Sequence, residues 1–282
     1  MAMKTKVWLI IAVSLLLVGG ILFTGVMMAL DWDFSKLSTV EYETNKYTIT
    51  KEFKNISIKT ITADVEICPS QDGNTSVVCY EQEKLKHTVE VVDGTLYVNV
   101  IDTRDFFDSL VINFRQPIIK VYLPEAEYGK LVIGNTTGDV DISDGFQFHS
   151  IDVSLTTGDI RCAVSAVGTI KLKTTTGNIK MENLKANIAE LDLTTGDIYM
   201  LNVLLSWKLT VVGTTGDVRI EDCDAKDIFI KLTTGDVFGR FLTPKTINAS
   251  SKVGRMDLPK YVADVAPCKI QTTTGDIFVA FD

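Results

Sequence analysis

The sequence predicts an all-β fold, a parallel β-solenoid (a single-chain β-helix) of 19–21 residues per coil, preceded by one transmembrane helix. Three observations predict it. A Thr-Thr-Gly-Asp string recurs at nearly constant spacing, apolar columns keep register through every copy, and the N-terminus carries a long run without charge.

The repeat is the first element to justify, because a fixed period decides the whole architecture. It stands at Thr136–Asp139, Thr156–Asp159, Thr175–Asn178, Thr194–Asp197, Thr214–Asp217, Thr233–Asp236 and Thr273–Asp276, with a degenerate copy at Lys252–Arg255. Its glycines, Gly138, Gly158, Gly177, Gly196, Gly216, Gly235, Gly254 and Gly275, are 20, 19, 19, 20, 19, 19 and 21 residues apart. Seven residues before each glycine the column from Leu131 to Cys268 is wholly apolar, and so is the column five before it, from Ile133 to Ile270. Two residues after it come Val140, Ile160, Ile179, Ile198, Val218, Val237, Met256 and Ile277. Alternation on both sides of a turn means two half-buried strands per coil. The glycine supplies positive φ, and the Asp or Asn after it is expected to accept a local backbone N–H. Outward positions agree with stacking at about 4.8 Å: Asp152, Lys171 and Glu190 share a column and alternate in sign.

Upstream, Ile56–Ile67 matches Ile170–Met181 column by column, with Ala63 in the place of glycine. Strand-like runs at Thr75–Tyr80, Thr88–Val92, Thr95–Ile101 and Ile118–Leu123 then read as a cap protecting the first coil. The expected organisation is a cytoplasmic N-terminus at 1–6, an anchor at 7–30, a polar tether at 31–48, N-terminal coils and cap strands at 49–130, and the regular array at 131–282. The anchor rests on 24 uncharged residues from Val7 to Leu30, enough helix to cross a bilayer. Lys4 and Lys6 before it and Asp31 and Asp33 after it place the larger part of the chain outside the cytoplasm. A cleaved signal peptide is the competing reading; its apolar core is shorter and ends in a small-residue site.

With Ile-x-Leu-x-Thr-Thr-Thr-Gly-Asn-Ile at 170–179, the copy at 56–67 and Lys269–Ile277 at the end, the sequence resembles the putative-adhesin β-strand-repeat family, also called toast-rack domains, over residues from about 50 to 282. That resemblance implies a parallel β-solenoid, export or membrane anchoring in bacteria, and a loose link to surface adhesion or envelope stress. It implies no catalytic residues and no cofactor.

Composition narrows the partners. A net charge of −8, from 28 basic and 36 acidic residues, offers no phosphate-neutralising patch, so nucleic acid is excluded. Five cysteines and two histidines lack metal-site spacing, and one carboxylate per coil, interrupted by Asn178, is too few oxygens for calcium. A polysaccharide lyase needs long loops walling a groove, which such even intervals do not provide. The expected function is therefore a non-catalytic binding or scaffold module at the cell surface, adhesin-like and engaging a protein or glycan; the alternative is an accessory of an envelope-stress system acting through membrane partners.

The candidate partner surface is apolar. Tyr199, Leu201, Phe229 and Phe238 fall on columns that should face solvent, with Leu204, Leu205 and Trp207 in the connecting turn. The plainer reading is that this turn folds over and buries its own residues. Cys162, Cys223 and Cys268 read as buried thiols, and Cys68 and Cys79 flank a hairpin-like turn that a disulfide would cross-link. Finally, the strand after Asp276 lacks lysine and proline, so its edge is expected to be covered, either by Pro259–Pro267 or by a second molecule.

Overall fold

The structure, a computed structural model, describes residues 2–33, 41–105, 115–263 and 265–281. The chain divides into a unit of Met1–Tyr42 with Thr103–Arg115 and a larger unit of Glu43–Asp102 with Gln116–Asp282. The first contains the helix Ala2–Ala29, whose 24-residue stretch Lys6–Ala29 reaches a mean hydropathy of 2.6 over 18 residues. It is long and apolar enough to cross a membrane, a property that signal sequences share.

The larger unit is a stack of β-coils in the register of the repeat. Ile151 pairs with Leu131 on one side and Ile170 on the other, Val153 with Ile133 and Leu172, and Ile160 with Val140 and Ile179, all in parallel. These columns form one continuous core in which nearly every member is fully buried. Each coil also turns at a second corner, six residues after the glycine. In three middle coils it is made by Asn183, Asn202 and Asp222, whose φ of 54°, 52° and 53° is the left-handed region that Asn and Asp tolerate. A short third side follows, where Leu184 pairs with Val203 and Ala186 with Leu205.

The repeat glycines are required for two separate reasons. Their φ runs from 126° at Gly138 to 159° at Gly254, outside the region open to other residues. In addition, a Cβ on Gly196 would stand 2.0 Å from the Gly177 carbonyl oxygen. The aspartate beside it acts between coils and not, as expected, within its own turn. Asp159 N–H donates to Asp139 Oδ1 at 2.8 Å, Asn178 N–H to Asp159 Oδ1 at 2.7 Å, Asp197 N–H to Asn178 Oδ1 at 2.9 Å and Asp217 N–H to Asp197 Oδ1 at 2.8 Å. A short carboxylate or amide reaches one strand spacing sideways more easily than it folds back on its own peptide, and Asn178 serves as well as an aspartate.

Both ends depart from sequence order. At the N-terminal end, Asn55–Lys59 stacks directly on Glu127–Thr137, with Ile56 on Leu131 and Ile58 on Ile133, so the upstream copy is a true coil. Outside it lie Thr95–Asp102 and Ile118–Leu123, parallel to Asn55–Lys59 and Asp64–Pro69. Beyond these, Leu85–Val92 and Thr75–Gln82 run antiparallel and close the end. Tyr42–Ile49, within the segment expected as a tether, is a strand paired with Thr75–Gln82. Its alternation is weak because only Tyr47 and Ile49 lean on the core, which is why it reads as polar spacer. Residues 34–40 of that tether lie outside the described residues. The Cys68–Cys79 hairpin does not form, since Ile118–Leu123 lies between the two strands and all five thiols are free.

At the C-terminal end the last two coils exchange places. Asp227–Thr234 pairs with Pro267–Thr274, and Pro267–Thr274 pairs on its other side with Thr246–Val253. The well-formed final coil is thus interior, with Cys268, Ile270 and Ile277 buried, and the degenerate coil is terminal. The cover expected for the final strand is therefore the preceding coil, not the Pro259–Pro267 segment, which is the link between them. The resulting edge strand Thr246–Val253 is polar, bears Lys252 and is followed by the two-residue strand Met256–Asp257 and Pro259, features that discourage edge pairing. Being terminal, it leaves Met256 exposed in a column that is buried everywhere else.

Candidate partner-binding face

Outward side chains three and five residues after each glycine form two parallel rows, because strand residues alternate faces and every coil keeps the same register. The first row reads Asp141, Arg161, Lys180, Tyr199, Arg219, Phe238, Phe278 and Asp257 along the stack. Its early half is ionic: Arg161 binds Asp141 at 2.9 Å and Lys180 binds Glu182 at 2.8 Å. From Tyr199 onward it carries three aromatic rings, Tyr199, Phe238 and Phe278, with Arg219 and Asp257 among them. Phe238 and Phe278 stack with centroids 5.2 Å apart and planes 6° from parallel. The exchange of the last two coils makes them neighbours.

Tyr199, Leu201 and Phe238 are 43%, 41% and 37% exposed and share this face. Arg219 pairs with Glu221 at 2.7 Å beside them, and Arg240 with Asp222 at 2.7 Å. A shallow groove of about 600 Å³ runs along the face, bounded by Phe238, Phe278, Arg240, Leu258 and Phe281. The nearby Asp197 carboxylate, which also accepts the Tyr199 hydroxyl at 3.3 Å, raises that phenol's pKa above its ordinary value.

The other sequence-derived candidates are not brought to this face. Phe229 lies on the strand before the glycine turn, paired with Thr210 and Lys269, with the Lys269 ammonium 5.9 Å from its ring centroid. Leu204, Leu205 and Trp207 belong to the short third side. Leu205 is only 6% exposed and sits over Ala186, so it is a core residue and not part of a surface; the turn does bury it. Leu204 is half-buried, while Trp207 is 54% exposed. The eight repeat glycines hold the turns. Phe278 was missed in the sequence because, taken in chain order, the degenerate coil separates it from Phe238.

One cluster that sequence spacing does not reveal lies in the N-terminal cap. Cys79, Glu81 and His87 are buried together, brought close by strands Thr75–Gln82 and Leu85–Val92. Glu81 accepts the His87 backbone N–H and faces His87 Nδ1, both at 2.7 Å, and accepts the Asn45 amide at 2.8 Å. Thr60 Oγ1 lies 2.9 Å from His87 Nε2. The carboxylate's donors thus come from both Tyr42–Ile49 and the cap, a buried network that pins that strand in place.

The Toastrack DUF4097 family model matches residues 53–210. None of the curated proteins matches the chain. Among solved structures, a "putative adhesin" from Parabacteroides distasonis ATCC 8503 is similar at 14% identity and TM-score 0.49, over 86% of this chain and 98% of that one. A "putative adhesin" from Bacteroides fragilis NCTC 9343 is similar at 18% identity and TM-score 0.43, over 85% and 97%. A "putative cell adhesion protein" from Clostridium sporogenes ATCC 15579 is similar at 12% identity and TM-score 0.38, over 86% and 100%. With more than half of its length matched by the family model and a coil register that repeats throughout, this chain belongs to the Toastrack DUF4097 family.

Proposed function

We propose that this protein is a non-catalytic, adhesin-like binding module held on the outer face of a bacterial membrane by its N-terminal helix. The observation that carries the reading is the group of exposed Tyr199, Leu201 and Phe238 set around the Arg219–Glu221 ion pair on a rigid, in-register sheet face. Isolated exposed apolar residues are ordinary, whereas aromatic and apolar side chains gathered on one face together with arginine match the composition of a partner site. The stacked coils supply rigidity, so little ordering entropy opposes docking. The flanking lysines at 4 and 6 and aspartates at 31 and 33 support an outward β-unit.

Adherence tests the reading. Cells displaying the full chain should retain other cells, or bind a glycan array, above a control displaying only residues 1–48. Tyr199→Ser combined with Phe238→Ser should remove that retention. Equal retention by the anchor-only control would refute the module.

A further inference from the structure

The outward row that begins at Lys180 is complementary to its own reverse. In spatial order it reads Lys180, Tyr199, Arg219, Phe238, Phe278, Asp257. Laid against a copy turned end for end, Lys180 meets Asp257, Tyr199 meets Phe278 and Arg219 meets Phe238. In the adjoining row the same operation sets Glu221 against Arg240 and Leu201 against Ala280, while Glu182, already paired with Arg161 and Lys180, falls opposite Pro259 at the outer rung. Apart from that outer rung, each encounter joins opposite charges, two rings, a cation and a ring, or two apolar groups. In chain order the match fails, because Asp257 would stand between the two phenylalanines; the exchanged coils create it.

We infer that this face binds a second copy of the same chain, about a two-fold axis parallel to the strands and passing between the rungs of Arg219 and Phe238. Such an axis reverses the stack while keeping each row opposite itself, giving an isologous contact. Six rungs at about 4.8 Å per step span roughly 24 Å. The groove beside Phe238 and Phe278 receives Tyr199 and Leu201 of the second copy. Asp257, exposed and outside every ion pair among the described residues, gains a lysine. Aromatic and arginine side chains at the centre, with charges at both ends, match the anatomy of interface hot spots. The two stacks then run antiparallel, so their capped N-terminal ends lie at opposite ends of the pair. The contact rests on the binding-module reading by naming its partner.

Charge exchange tests the contact. The full-length chain in detergent micelles is followed by analytical ultracentrifugation over a range of concentrations, expected to show a reversible monomer–dimer equilibrium. Glu221→Arg alone, or Arg240→Glu alone, places like charges opposite each other across the axis and should weaken the dimer by about tenfold or more. The double exchange should recover it. Should either variant melt early, Lys180→Asp with Asp257→Lys repeats the exchange at the outer rungs. A monomer at every concentration, association indifferent to the single exchanges, or a double exchange no tighter than the singles would each overturn the proposal. A monomer whose cells still retain foreign cells would sink self-association alone and leave the module reading standing.

Discussion

Replacing Gly196 by alanine should destabilise the coil stack by about 3–5 kcal/mol, the sum of two effects on one methyl group. The backbone there has φ 134°, a conformation essentially reserved for glycine, and forcing another residue into it costs about 1–3 kcal/mol. The new Cβ also stands 2.0 Å from the Gly177 carbonyl oxygen, which belongs to backbone and cannot swing aside. Relieving that overlap moves two coils apart by roughly 1.5 Å, to ordinary contact distance. The move strains the bonds that join these two coils, from Gly177 N–H to Thr195 O at 3.0 Å and from Ile179 N–H to Asp197 O at 2.9 Å, each contributing about 1 kcal/mol. The assay is urea unfolding of the purified protein, with Gly134→Ala as control. Gly134 has ordinary φ, and nothing lies within 4 Å of where its Cβ would be. A Gly196→Ala midpoint equal to that of the control would refute the close-approach argument. A lowered slope together with a lowered midpoint would show the stack splitting at the damaged coil, as nearest-neighbour coupling allows.

Four further expectations follow from particular contacts. Asp197→Asn should leave the melting temperature nearly unchanged, because Asn178 already fills the same place in the ladder, while Asp197→Ala should cost about 1–2 kcal/mol by orphaning the Asp217 N–H. The same ladder engages one oxygen of each carboxylate, so millimolar calcium or EDTA should not move the transition; a large calcium-dependent rise would contradict it. Burial pushes the thiols of Cys79, Cys162 and Cys268 up to about 12, so a thiol reagent at pH 8 should modify them only on unfolding, whereas half-buried Cys68 reacts first; rapid native labelling of Cys162 would count against the register. Hydrogen bonds from the Arg255 backbone and side chain hold the Asp276 carboxyl below the ordinary carboxylate range. Since the folded pKa is depressed, its contribution is fully present above about pH 4–5 and is lost as pH falls through the folded value. Wild type and Asp276→Asn should therefore converge in stability on acidification, and a constant gap in melting temperature from pH 7 down to about pH 2 would refute the pairing.

The sequence alone determined the coil. A core column must be apolar in every rung, and a turn whose φ only glycine accepts must carry glycine in every rung, so the period, the register, the Ile56–Ile67 copy and the cap strands were all legible. The inward or outward direction of Tyr199, Leu201 and Phe238 followed from strand alternation. What the tertiary structure decided is which edge meets which. Parallel coils with the same columns offer nearly interchangeable edges, so local pattern cannot rank the contact of Asp227–Thr234 with Thr246–Val253 against its contact with Pro267–Thr274. The choice is made by burial. An interior coil loses water from both sides, and Cys268, Ile270 and Ile277 use that, whereas Asn248, Ser250 and Arg255 are better left at an end. The same global balance drew Tyr42–Ile49 onto the cap, assembled Glu81 with His87, turned Leu205 inward, and set Phe278 against Phe238.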